Sequence, residues 1–248
     1  MLILGLTGGI ATGKSTVSSI LASSPYNFPV IDADHIAREI VQPGRHAYRR
    51  IVAHFSPVVP DLLLPADPQT GEQALNRAAL GRYVFANEKE RRVLNFITHP
   101  EVRRAMALKA MYWWLIKISD IVVLDVPLLF ESRLDLFCAH TLVIACNPEI
   151  QRDRLLARDG AILSTQEADE RIKSQMAIEE KAWYADSVIW NDTTIDELRI
   201  KVRHFIDGIR PARSRTLIEW ILPIGLFMGF LEHLKRRLAA SSKRVKFT

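Results

Sequence analysis

The sequence predicts an α/β protein with a mainly parallel sheet, and three observations lead there. Short apolar runs alternate with segments of helical spacing. The first apolar run ends in a glycine-rich turn that opens directly into a helical pattern. The chain has 248 residues, 48% of them hydrophobic, which is enough to bury a full core around such a sheet.

The elements follow in order. Residues 2–6 form a short apolar run that reads as a buried strand, and Val17, Ile20 and Leu21 give residues 16–22 a helical face. Residues 30–31, 121–126 and 141–145 read as further strands, with a weaker one at 188–190. The interval between the second and third strands is too long for a simple crossover. It carries helical patterns near residues 34–41, 45–55, 75–86, 89–97 and 101–118, broken by a proline-rich stretch at 57–68. These predict a helical insertion at the carboxyl edge of the sheet, where α/β proteins bind ligands. Thr98-His99-Pro100-Glu101 has the form of a capping box with proline in the first turn, which predicts a helix start there and a first-turn position for His99.

Charge and cysteine usage narrow the class. The formal net charge is +5, but residues 209–248 hold nine Lys/Arg against two acids, so the rest of the chain is close to neutral. A nucleic-acid-binding body is therefore not expected. Cys138 and Cys146 fit no metal or redox spacing, which predicts a reducing, intracellular setting. The apolar amino terminus lacks a basic leader and runs straight into the glycine-rich turn, so it does not read as a signal peptide.

That turn is the main chemical signal. Gly8-Gly9-Ile10-Ala11-Thr12-Gly13-Lys14-Ser15 satisfies G-x-x-x-x-G-K-[S/T], and it lies between a strand and a helix as a phosphate loop requires. Gly8 and Gly13 permit torsions and a close approach that let successive N–H groups face one anion, and the positive helix end adds to the attraction. Residues Gly8 to Thr16 are thus expected to hold a nucleoside triphosphate, with Lys14 on its β and γ phosphates and the Ser15 hydroxyl on Mg²⁺.

Other residues offer acceptor and lid chemistry. Asp32 and Asp34 end the second strand; one is expected to cap the following helix and the other to orient or deprotonate an acceptor hydroxyl. Asp125 closes an apolar strand and reads either as a metal-binding acid or as a strand terminus. Arg154 and Arg158 share a face of a charged helix, which suits either a kinase lid or a solvated surface.

Taken together, LTGGIATGKS, VIDADHIAREIVQPG, ITHPEV, VPLLFE, the Gln151-Arg154-Arg158 spacing, RIKSQM, and Lys181, Ala185 and Asp186 ahead of VIWN resemble the dephospho-coenzyme A kinases. The resemblance runs from about Leu2 to about His204. It implies a P-loop kinase fold with a helical substrate-binding insertion and a lid. The implied activity is ATP-dependent phosphorylation of the ribose 3′-hydroxyl of dephospho-CoA, the last step of coenzyme A synthesis. By position, the resemblance implies Asp34 as the base, with Asp32 as its structural neighbour or a contact to Mg²⁺-bound water. It implies Arg158 as the lid arginine. Arg38 and His99 fall on the substrate side, and residues 128–131 in a substrate-side or structural motif. Ala11 and Thr12 stand where bacterial relatives carry Gly and Ser, adding methyl groups while leaving the anion-binding amides in place.

On this reading residues 1–208 form one kinase-like domain. Its nucleotide core is expected at about 1–32 and 120–208, the insertion at 33–119 and the lid at 151–180. Residues 209–248 form a basic and apolar tail. Residues 216–231 would span about 24 Å as a helix, short of a hydrocarbon core of about 30 Å. Gly225 and Gly229 form a G-x-x-x-G pair, and basic residues flank the segment on both sides. Membrane association is expected, as a short anchor or an interfacial helix, with packing on the body or on a partner as the alternative. The expected location is cytoplasmic, against a mitochondrial or endoplasmic reticulum membrane. Two rivals are another small-molecule P-loop kinase, acting on nucleosides or nucleoside monophosphates, and a non-catalytic membrane adaptor on the same fold. The adaptor should have lost Lys14, Asp34 or the lid arginines, all of which are present. A regulatory GTPase should show N-K-x-D, which is absent.

Overall fold

Continuous apolar runs build the centre of the molecule. The computed structural model describes residues 1–160 and 163–210. Strands β1 (Leu2–Gly8), β2 (Val30–Asp32), β3 (Ile121–Asp125), β4 (His140–Ala145) and β5 (Ser187–Trp190) form one sheet in the order β2-β3-β1-β4-β5. β1 runs parallel to β3 and to β4, and β4 runs parallel to β5. Every residue of β3 is buried, as are all but the first of β4, because a parallel sheet is covered on both faces. Leu4, Leu6, Val123, Leu142 and Ile144 lie in the main core, where each is worth about 1.5–3 kcal/mol of burial. Helices α1 (Lys14–Ala22) and α9 (Ile195–Ile209) supply Val17, Leu21, Leu198, Val202 and Ile206 to the same cluster.

The strand order fixes where chemistry can occur. The chain leaves β1 towards one side of the sheet and returns to the other side with β4, so β1 is the topological switch point. Parallel pairing brings the carboxyl ends of β1, β3, β4 and β5 to one edge. Residues far apart in sequence therefore gather around the turn that follows Gly8.

Two compact units divide the chain: Met1–Ile31 with the residues from Trp113 onward, and Asp32–Tyr112. The second unit is helical, with α2 (Ala33–Glu39), α3 (His46–Phe55), α4 (Arg77–Ala86) and most of α5 (Glu88–Leu115). An isolated antiparallel bridge, Leu63 to Leu75, closes its proline-rich loop. Ile36, Ile51, Phe55, Leu62 and Leu80 are among its buried side chains.

One expected helix boundary is corrected. The two patterns at 89–97 and 101–118 fall on the single helix α5, which has Pro100 inside it and ends at Leu115 rather than at residue 118. Both members of the expected capping box are used elsewhere. The Thr98 hydroxyl donates to the Leu94 carbonyl one turn back at 2.9 Å, and Glu101 pairs with His46 Nδ1 on α3 at 2.8 Å. The apolar tail lies outside the described residues; among those described, no helix is long and apolar enough to cross a membrane.

Candidate active site

The phosphate loop follows β1 as the sequence predicts. Gly13 has φ +95°, and a Cβ there would lie 2.2 Å from Asn191 Nδ2, so both backbone torsion and space require glycine. Gly13 is also the N-cap of α1 and carries no side-chain cap, leaving the helix start available to an anion. Ala11 has φ +59°. Its methyl group is thus more than an inert addition: a left-handed torsion costs an alanine roughly 1–2 kcal/mol. In return the methyl packs with Ile10 against a cluster of Leu155, Leu163 and Ala168.

Three loop carbonyls are tied back by side chains. Thr12 Oγ1 donates to the Gly9 carbonyl at 2.9 Å, Gln151 Nε2 to that of Ile10 at 2.8 Å, and Asn191 Nδ2 to that of Thr12 at 2.9 Å. Thr12, Gln151 and Asn191 are all buried, which limits competition from water, most fully at the Asn191 bond. Gln151 comes from α6 (Pro148–Asp159) after β4, and Asn191 directly follows β5. The sheet edge thereby supplies the scaffold of the loop.

Lys14 Nζ pairs with the Asp125 carboxylate at the end of β3, and Asp125 is buried. Ser15 is exposed in the first turn of α1. Arg154 donates from its guanidinium to the Asn191 carbonyl at 2.8 Å, and so holds the scaffold of the loop. Arg158, in the last turn of α6, is exposed and forks onto Asp159 at 2.9 and 3.0 Å; that carboxylate raises the guanidinium's proton affinity further. Helix α7 (Thr165–Lys173) begins with a complete capping box of Ser164 and Glu167, and Arg152 joins it to α6 through Asp169 at 2.7 Å.

The VPLLFE motif anchors a second network. Lys181 on α8 (Ile178–Tyr184) is fully buried; its Nζ lies 3.0 Å from Glu131 and donates to the Pro127 carbonyl at 2.8 Å. The Thr7 hydroxyl donates to the same carbonyl at 2.9 Å, and Glu131 accepts from the Met176 N–H at 3.3 Å. Asp186 accepts from the Thr141 N–H and hydroxyl at 2.8 and 2.7 Å. These bonds give residues 127–131, Lys181 and Asp186 a structural part.

The residues expected on the acceptor side, Asp34, Arg38 and His99, lie in the unit Asp32–Tyr112. Asp32 is the N-cap of α2, accepting from the Asp34 and His35 N–H groups at 2.8 and 3.0 Å. The capping part therefore falls to Asp32, and Asp34 stands in the first helical turn with its side chain exposed. Arg38 is also exposed, and its carbonyl accepts from Arg77 at 3.0 Å. His99 lies on α5, where loss of hydration, and then the Arg103 charge one turn on, hold its pKa below the usual histidine value. The sequence left Gln175, Asn191 and Lys181 without a stated role. Their signals were the RIKSQM stretch for Gln175, VIWN for Asn191 and the lone Lys181 ahead of it, which no spacing rule interprets.

A parallel sheet of this order, with a phosphate loop at its switch point and Lys14 set against a strand-terminal acid, defines a P-loop kinase. Residues 2–197 match the family model CoaE, dephospho-CoA kinase, and the chain belongs to that family. It is 42% identical over 225 residues to a dephospho-CoA kinase of Saccharomyces cerevisiae, covering 91% of this chain and 90% of the relative. With a dephospho-CoA kinase of Bacillus cereus it shares 47% identity over 201 residues, 81% of this chain and 93% of the relative. The solved structure of a dephospho-CoA kinase from Campylobacter jejuni superposes with a TM-score of 0.62 at 32% identity, covering 84% of this chain and 96% of that one.

Proposed function

We propose that this kinase transfers the γ-phosphoryl group of ATP in line to the ribose 3′-hydroxyl of dephospho-CoA, giving ADP and coenzyme A. The observation that carries the reading is the phosphate loop, with its carbonyls tied back and Lys14 beside Asp125, in a chain of this family. The loop amides and the α1 terminus receive the β and γ phosphates. Lys14 leaves Asp125 to meet them, which frees the carboxylate.

The Ser15 hydroxyl and the freed Asp125 carboxylate are hard oxygen donors and suit Mg²⁺. Magnesium bound there would neutralise charge on the β and γ oxygens. Asp34 orients the acceptor hydroxyl and accepts its proton. Asp32 is committed to capping α2, which fixes the backbone that carries Asp34. Arg158 releases Asp159 and stabilises charge on the moving phosphoryl group from the lid, residues 151–180. Arg38 and His99 bind dephospho-CoA, Arg38 as a phosphate partner and His99 as a neutral ring near pH 7.

An acceptor panel tests the reading. With saturating Mg·ATP, dephospho-CoA should give a product one phosphate heavier, and nucleosides and nucleoside monophosphates should give none. Product from those acceptors alone would identify a different small-molecule kinase. The basic and apolar segment 209–248 supports attachment to an anionic membrane surface. The full chain should float with phosphatidylserine vesicles and a chain ending at residue 209 should not; equal flotation would remove the tail from that part.

A further inference from the structure

One residue of the phosphate loop, Ile10, is held by its backbone from both sides, through the two peptide units that flank its Cα. Gln151 Nε2 donates to the Ile10 carbonyl at 2.8 Å, and the Ile10 N–H donates to Gln175 Oε1 at 3.1 Å. Gln151 lies in the first turns of α6, and Gln175 follows the end of α7. These are the two feet of the helical hairpin that carries Arg158. The side chain of Ile10 adds a third attachment, packing against the hairpin's own cluster at Leu155, Leu163 and Ala168. Gly9 leaves room for the arrangement, since a Cβ there would stand 2.7 Å from Gln151 Nε2.

We infer that Gln151 and Gln175 are positioning residues that clamp the Ile10 backbone, one on each of the two peptide units flanking its Cα, and so register the Arg158 hairpin against the phosphate loop. The chemistry is complementary. One amide side chain presents its donor to the carbonyl and the other presents its acceptor to the N–H. Neither is ionisable, so the clamp adds no charge beside a triphosphate. A hairpin rooted on the loop itself carries its arginine in the frame of the phosphate that the loop holds. The inference rests on the proposed lid role of Arg158. It deepens that role by naming what sets the arginine's position.

The test reads the clamp with and without turnover, using the full chain as wild type, Gln175→Ala, Gln151→Ala, the double variant and Gln175→Glu. Amide exchange at Ile10, resolved by NMR with no acceptor present, should quicken about tenfold in Gln175→Ala, the weight of one hydrogen bond. Gln175→Glu keeps an acceptor and should restore the protection. In the coupled assay, each alanine variant should lose about tenfold in kcat, with the KM for dephospho-CoA within about twofold and the melting temperature of Gln175→Ala lowered by only about 2–4 °C, the cost of one hydrogen bond. The double variant should lose about as much as either single one, because both side chains fix the same residue and release of either peptide unit beside its Cα frees it. Unchanged exchange at Ile10, or losses that multiply in the double variant, would overturn the clamp. Absence of wild-type turnover with dephospho-CoA would instead defeat the proposed function, and the exchange measurement would still decide the clamp.

Discussion

The phosphate loop and the helical unit Asp32–Tyr112 are held in opposite ways. The loop is fixed by uncharged hydrogen bonds from the buried side chains of Thr12, Gln151 and Asn191, and by packing of Ile10 and Ala11 against the cluster of Leu155, Leu163 and Ala168. The helical unit has a core of its own, yet its helices are laced by solvent-accessible polar pairs: the Glu39–Lys109 ion pair and the hydrogen bonds of His46 with Glu101 and His54 with Glu90. Large apolar side chains also remain exposed there, Phe85 at 85% and Phe96 at 71%. Surface pairs of this kind are each worth about 0–1 kcal/mol, far less than a satisfied buried network. The difference teaches a division of labour. The donor site is preorganised by the sheet. The unit that carries Asp34 is held more lightly.

Variants on each side should separate the two. The largest expected effect is on turnover: Asp34→Asn should lower kcat about a thousandfold, the scale of general base catalysis, and leave the Kd for Mg·ADP within threefold. Near-normal kcat would remove Asp34 from the chemistry. Lys14→Ala strikes the donor side, so ATP affinity should fall about a hundredfold by calorimetry while dephospho-CoA binding is kept. Equal losses for both ligands would blur the division.

Lys181→Ala tests the rigidity of the sheet unit. Removing the buried ammonium from Glu131 and the Pro127 carbonyl should cost about 3 kcal/mol in denaturant unfolding. A cost below about 1 kcal/mol would mean that the network is not what stiffens this edge.

The smallest effect belongs to the lighter unit. The Lys109 hydrogen bond and charge, with smaller help from Arg45 and His35, hold the Glu39 carboxyl below its ordinary pKa of 4.5. Its contribution is present above that value and lost as pH falls through the lowered folded value. Glu39→Gln should therefore melt slightly below wild type at pH 6, with the gap closing below pH 4.5. A gap that persists at pH 3 would show that the pair is not its cause.

Much of this was legible in the sequence, for identifiable reasons. All five strands were, because a sheet covered on both faces needs unbroken apolar runs. The phosphate loop was legible because its glycines and its Lys-Ser pair act at fixed local spacing. The continuity of α5 was not, since Thr98-His99-Pro100-Glu101 carries the marks of a helix start, and only the tertiary partners of Thr98 and Glu101 reveal otherwise. Residue type alone left the division between Asp32 and Asp34 open, since both acids could cap; the resemblance put the base at Asp34, and the N–H groups that Asp32 accepts identify it as the cap. Asn191 and Gln175 reach the loop from more than 160 residues away, carried there by strand order rather than by spacing.

The most direct test of the account follows the phosphoryl group itself. With ATP labelled by ¹⁸O on its γ-phosphoryl oxygens, coenzyme A should form with one equivalent of ADP and carry the labelled phosphoryl on the ribose 3′-oxygen, as read by mass and ³¹P NMR. Label appearing only in inorganic phosphate, or at another position of the product, would contradict direct transfer to dephospho-CoA.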